Sequence, residues 1–177
     1  DGIAAEQMTQ IKNEKQAKNW VDMKTLTDIV DSLHADIISQ NLYQLAHWDK
    51  QQTDLFQRYL VGALYTKLPP VRLDFSGMII TSMSDYNKLN EKKDNYLVIE
   101  NMKKKYFSFN DYKTNKQYGE KFVEIPQEIN EILNSWLIHN KSGILLLDSN
   151  GRPMSRVTLS RYLNKIFAPT GKNISVT

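Results

Sequence analysis

The chain has 177 residues, of which 41% are hydrophobic and 24% charged, a balance that argues against disorder and leaves enough apolar material for a sizeable core. Its formal net charge is only +3, so bulk charge alone does not mark a binder of polyanions. Cysteine is absent, which excludes disulfides and thiolate metal sites and points to a reducing, intracellular setting rather than secretion. The three histidines, His34, His47 and His139, show no metal-ligand spacing, and no apolar run approaches the length of a membrane span. The sequence opens on Asp1 rather than Met and is read as a piece of something longer, or as starting with an added remnant.

Residues 1–20 are polar and read as an arm or linker, so the folded unit is expected over 21–177. A helix is expected to start near Val21, with Asp22 as its cap and Val21 stapled onto Leu26; Met23, Leu26, Ile29, Val30, Leu33 and Ile37 recur at helical spacing through about Ser39. A second helix is expected from about Gln51 to Lys67, with Leu55, Phe56, Tyr59, Leu60, Ala63 and Leu64 as its apolar stripe. It must end near Leu68, because Pro69 and Pro70 lack amide donors and push the preceding residue out of helical geometry. Residues 71–95 are mixed, and Met78-Ile79-Ile80 fits a short helix or a strand equally well.

The period then changes to two. Tyr96 to Ile99, Tyr106 to Asn110 and Lys121 to Ile125 read as three strands, the last two joined by a polar hairpin tip over 111–120 that carries Asn115 and Gly119. Pro126 opens a helix through about His139, with Ile129, Ile132, Leu133 and Trp136 on one side. After a short apolar segment and the turn Ser149-Asn150-Gly151, Ser155 caps a last helix carrying Leu159, Tyr162, Leu163 and Ile166. This order predicts an α+β domain, mostly helical, with a small antiparallel three-stranded sheet.

Three places carry candidate chemistry. Arg72 follows Pro69-Pro70 and precedes Asp74, whose carboxylate can hold the guanidinium by a charge-assisted bond and so present a planar fork to phosphate oxygens; a plain surface arginine is the bland alternative. Lys113 and Lys116 lie on the hairpin tip, where lysines usually serve solubility but where a long side chain can also deliver a proton. Arg152, Arg156 and Arg161 surround the start of the last helix and can line a phosphate backbone, or can be ordinary surface residues. Between Lys88 and Lys121 nine lysines face five acids and no arginine, a run that is ordinarily a solvated face and that can also attract phosphate.

The order of these features resembles a known family. Pro69-Pro70-Val71-Arg72-Leu73-Asp74, then Tyr112-Lys113-Thr114 on a hairpin, then Gly119 to Ile125-Pro126, is similar to the catalytic domain of tyrosine recombinases, the integrase-type DNA strand-exchange enzymes. The likeness is greatest to the divergent branch of large DNA viruses, virophages and related mobile elements. Lys18-Asn19-Trp20-Val21 and the tail Gly171 to Thr177 fit it too, so it covers about 18–177.

The resemblance implies that Arg72 binds the scissile phosphate and that Lys113, with Lys116 as the alternative, protonates the leaving 5′ oxygen. It further implies double-stranded DNA as partner, no metal or other cofactor, a homotetramer on DNA in the intact protein, and an intracellular place of action in the cytoplasm, virus factory or nucleus. The family also needs a His-x-x-Arg motif and a later tyrosine nucleophile. None of the three histidines is followed by arginine three residues on, and none of the nine tyrosines lies where the nucleophile belongs. The chain is therefore expected to be a partial catalytic domain, inactive alone and monomeric. The competing expectations are a non-enzymatic DNA-binding accessory factor or decayed recombinase, and a protein-interaction domain in which these motifs arise by chance.

Overall fold

A computed structural model describes residues 23–68, 74–110 and 121–168. Helix α1 (Met23–Ser39) leads through a 3₁₀ turn at Leu42–Gln44 to α2 (Lys50–Lys67). Strand β1 (Ile79–Ser82), the short helix α3 (Met83–Asn87) and strands β2 (Tyr96–Ile99), β3 (Lys105–Phe109) and β4 (Lys121–Glu124) follow. Helices α4 (Gln127–His139) and α5 (Arg156–Ile166) complete an α+β domain. The expected arm over 1–20, the Asp22 cap and the Val21 staple lie outside the described residues. No helix among the described residues is long and apolar enough to cross a membrane.

The helix boundaries follow from local chemistry. Asp49 and Gln52 form a reciprocal capping box at the start of α2: Gln52 N–H donates to Asp49 Oδ1 at 2.7 Å, and Asp49 N–H donates to Gln52 Oε1 at 2.9 Å. Leu68 is extended, at φ −119° and ψ 158°, as a residue before proline must be. Ser155 accepts from Thr158 N–H at the start of α5, and Pro126 precedes α4. The expected stripes face inward, with Leu26, Val30 and Ile37 of α1 and Phe56, Tyr59, Leu60, Ala63 and Leu64 of α2 buried; Met23, at the end of α1, is exposed. These residues, with Phe75, Met78, the inner face of the sheet and the apolar sides of α4 and α5, make one core.

The sheet corrects the expectation of three antiparallel strands. It has four, in the order β1-β2-β3-β4, and β1 runs parallel to β2, with Ile79 opposite Tyr96 and Ser82 opposite Ile99. The other two pairings are antiparallel. A parallel neighbour needs a crossover of a dozen or so residues, and here α3 and the loop after it supply one. Beyond β1 the chain adds a further contact, in which Ile80 N–H donates to Gly143 O and Leu145 N–H to Met78 O. Leu97, Phe107 and Phe109 point into the main core, while Tyr96 and Val98 pack with Tyr86 of α3 on the other face.

Helices α1 and α2 meet where α2 lacks a side chain. A Cβ at Gly62 would stand 2.8 Å from Val30 Cγ2, and the stiff χ1 of valine leaves that methyl little room to retreat. Gly62→Ala gains helix propensity of ~1 kcal/mol, against an overpacking cost of about 1–3 kcal/mol. The expected net result is a lower urea midpoint for Gly62→Ala, partly restored by adding Val30→Ala. A midpoint at or above wild type for the single variant would show that the interface is not at van der Waals limit.

Candidate nucleic-acid interface

One end of the sheet gathers polar groups from four segments. Asn95, immediately before β2 and only 5% exposed, bonds in two directions through its carboxamide. Its Nδ2 donates to Asp74 O at 2.9 Å, and its Oδ1 accepts from Asn110 N–H at 2.8 Å. Its own carbonyl accepts from Ile79 N–H at 3.0 Å. Asn110, just past β3, reinforces the join by donating its side-chain amide to Asp94 O at 3.0 Å and to Ser108 Oγ at 2.8 Å. Thus the chain entering the Asp74 turn and the chain leaving for the β3–β4 hairpin are tied by a single buried asparagine. No periodicity in the sequence singles this residue out; its place just before an apolar strand is the one local signal.

The Asp74 carboxylate, 15% exposed, takes Arg156 as its partner, with Oδ1 3.5 Å from Nη2. Arg156 is the first residue of α5 and keeps nearly half its side chain in solvent. Tyr65 of α2 completes the group: burial pushes its hydroxyl above the ordinary tyrosine value, the Asp74 carboxylate adds to the rise, and Arg156 opposes it. Asp74 was expected to hold Arg72, which lies outside the described residues, as do Lys113 and Lys116. Among the described residues, Arg156 stands against Asp74.

The other two arginines do not share this position. Arg152 sits exposed on a tight turn in which Asp148 Oδ1 accepts from the N–H groups of Asn150 and Arg152, with Gly151 at φ 76°. Arg161 is exposed on α5, and five residues at 3.6 per turn put it about 140° around the helix from Arg156, away from the buried Leu159 and Leu163. The structure brings Arg156 to Asp74, while Arg152 is exposed on its turn and Arg161 faces elsewhere on α5.

Tyr162 belongs to the packing. Its hydroxyl donates to Asp54 Oδ1 at 2.9 Å while Arg58 Nε holds Asp54 Oδ2 at 2.8 Å, and Gln57 Nε2 approaches the same hydroxyl at 3.4 Å. Burial and the Asp54 carboxylate raise its pKa, the reverse of what an attacking phenolate requires. Among the described residues no cluster of three or more His, Cys, Asp or Glu side chains is placed to hold a metal.

The far end of β3 holds a polar residue that the sequence reading passed over as one of a run of lysines. Lys105 is 1% exposed, and its Nζ donates to Met102 O at 2.9 Å, to Asn130 Oδ1 at 2.6 Å and to Asn134 Oδ1. All three ammonium donors are used. Asn130 and Asn134 in turn donate to Met102 O, so α4 clasps the β2–β3 turn. Lys105 lies at the opposite end of β3 from Asn110 and therefore cannot act with Asp74. Its parity with Phe107 and Phe109 is the signal that could have placed it inside.

No protein-family model, curated protein or solved structure matches the chain.

Burial lowers the Lys105 pKa from the usual lysine value of 10.5. Between that depressed value and 10.5 the unfolded chain holds the proton and the folded chain releases it, so stability from this position rises with pH across the window and is flat below it. Lys105→Met removes the titration but leaves two carboxamide oxygens short of a donor, each at a cost of about 1–3 kcal/mol. Urea midpoints should therefore fall for the variant, and the gap between wild type and variant should widen as the pH rises toward the usual lysine value of 10.5. A gap that stays constant would mean that Lys105 titrates normally.

Proposed function

We propose that this chain belongs to an enzyme that handles the phosphodiester backbone of duplex DNA. The particular reaction proposed is strand cleavage and rejoining by a tyrosine recombinase, for which these residues form part of the catalytic domain. The observation that supports the reading most is the Asn95 join. It fixes Asp74, two residues after Arg72, against Asn110, three residues before Lys113. Two and three residues of chain span at most about 7 Å and 11 Å. A guanidinium and an amine on such short tethers can serve one phosphate, and Arg156 stands beside them at Asp74.

The chemistry needs that combination. Attack of a tyrosine oxygen on phosphorus builds negative charge on the non-bridging oxygens, and Arg72 stabilises it with its planar fork. The 5′ oxygen leaves as its bond to phosphorus breaks, taking a proton from Lys113, with Lys116 the alternative donor. The bond energy is kept in the 3′-phosphotyrosine, and a 5′-hydroxyl from a partner strand reverses the step. In this reading Arg152, Arg156 and Arg161 contact the DNA backbone. The intact enzyme works as a homotetramer on DNA, and the 177-residue piece is a monomer.

The second reading is a DNA-binding module without catalysis. It is favoured by the internal hydrogen bonding of Tyr162. Both readings expect duplex DNA affinity that falls steeply with salt, by fluorescence anisotropy, because bound phosphates release counterions. Affinity that is absent or indifferent to salt would remove both. The recombinase reading further expects covalent DNA adducts when a second arginine motif and a tyrosine nucleophile are supplied beyond Thr177, and none from the 177 residues alone. In that longer protein, Arg72→Ala should depress cleavage by about 100-fold or more. Lys113→Ala should be rescued by a 5′-thiolate leaving group, and failure of the rescue would strike Lys113 from the mechanism.

A further inference from the structure

We propose that Asn95 is a positioning residue: its carboxamide sets the Asp74 turn, and through it Arg156, against the root of the β3–β4 hairpin. The inference rests on the DNA-binding reading above and adds to it the residue that holds the surface together.

The geometry is specific to asparagine. One carboxamide, itself buried, must donate to a carbonyl, Asp74 O, and accept from an amide, Asn110 N–H. Aspartate can accept but cannot donate, and would set a carboxylate against a carbonyl oxygen. Leucine and alanine can do neither. Because Asn95 also receives Ile79 N–H on its main-chain carbonyl, it is itself held in register with β1 and cannot shift to follow either partner. The next link is ionic. Asp74, once its main chain is fixed, presents its carboxylate to Arg156 at 3.5 Å, and a half-exposed guanidinium held from one side offers its remaining donors outward. Tyr65 of α2, partly buried against the core, feels the same carboxylate.

Two substitutions separate the halves of the join. In Asn95→Asp the amide of Asn110 should stay protected from hydrogen exchange, while that of Met78, which closes the Asp74 turn on Phe75 O, should exchange faster. In Asn95→Ala both should speed up; should that variant fail to fold, Asn95→Asp carries the test alone. Duplex DNA affinity should fall by up to about fivefold in Asn95→Asp, because Asn95 bears on DNA only through the orientation of Arg156 by Asp74. The decisive measurement is a double-mutant cycle with Arg156→Ala. If Asn95 acts by positioning Arg156, adding Asn95→Asp to Arg156→Ala should cost little further affinity. A merely structural asparagine would lower thermal stability and give additive losses, and additivity, or unchanged Met78 exchange in Asn95→Asp, overturns the proposal. Should the wild-type chain show no salt-dependent DNA binding, the functional reading fails, and the exchange data still decide whether Asn95 fixes the turn.

Discussion

Irregular backbone pressed against an apolar core must find partners for its amides and carbonyls, and in this domain carboxamide side chains supply them. Gln57 of α2 does so for Leu147, accepting from its N–H at 2.9 Å and donating to its carbonyl at 3.0 Å, as a neighbouring strand would. Asn140, after α4, donates to Ile144 O at 2.8 Å, and Trp136 Nε1 donates to Leu145 O at 2.9 Å. Asn130 and Asn134 bind the β2–β3 turn through Met102 O, and Asn95 binds the Asp74 turn to Asn110. Apolar burial supplies the driving force for collapse, but it is non-directional. These bonds decide which loop lies on which helix, because leaving any of them unmade strands a buried donor or acceptor at about 1–3 kcal/mol.

In the proposed DNA-binding reading, the same constraint bears on how the polar end of the sheet would receive a large anionic partner. A phosphate contact must compete with water, and long cationic side chains lose entropy when ordered. Rooting them on backbone that is already fixed lowers that loss, whereas free loops would have to order both chain and side chain. The Arg156–Asp74 pair fits this logic. At 3.5 Å with the arginine half in solvent, it is worth about 0–1 kcal/mol. A pair of that strength orients the guanidinium without capturing it.

Much of the fold was legible because helices announce themselves by period and punctuation. The α2 stripe, the Pro69-Pro70 stop, the Ser155 cap and the helix after Pro126 all follow from local chemistry that a single sequence contains. The parallel β1 was not legible, since Ile79-Ile80 is short and its partner lies beyond α3; the pairing is non-local and leaves no trace in the period of either strand. The carboxamides were missed for a related reason. Asn95, Asn130 and Gln57 look like solvent residues by composition, and only the three-dimensional course of the loops turns them inward. At the candidate surface, the sequence offered Asp74 and Arg156 as separate features, and their meeting depends on α5 folding back past residue 74.

In the proposed reading, that meeting also limits how α5 can approach DNA. With Arg156 turned toward Asp74 and Arg161 about 140° away around the helix, the two cannot lie along one phosphate track. A helix laid lengthwise against a duplex would need them on one side. What α5 can offer the Asp74 surface is its first turn, where Arg156 stands at the helix start and the helix dipole favours an anion. Ser155 already satisfies one of those N–H groups, that of Thr158, which makes the helix start rigid without exhausting its donors. In the proposed reading, the first turn of α5 beside Asp74 and the hairpin root at Asn110 are therefore the parts of this surface that would meet a phosphate, rather than the length of the helix.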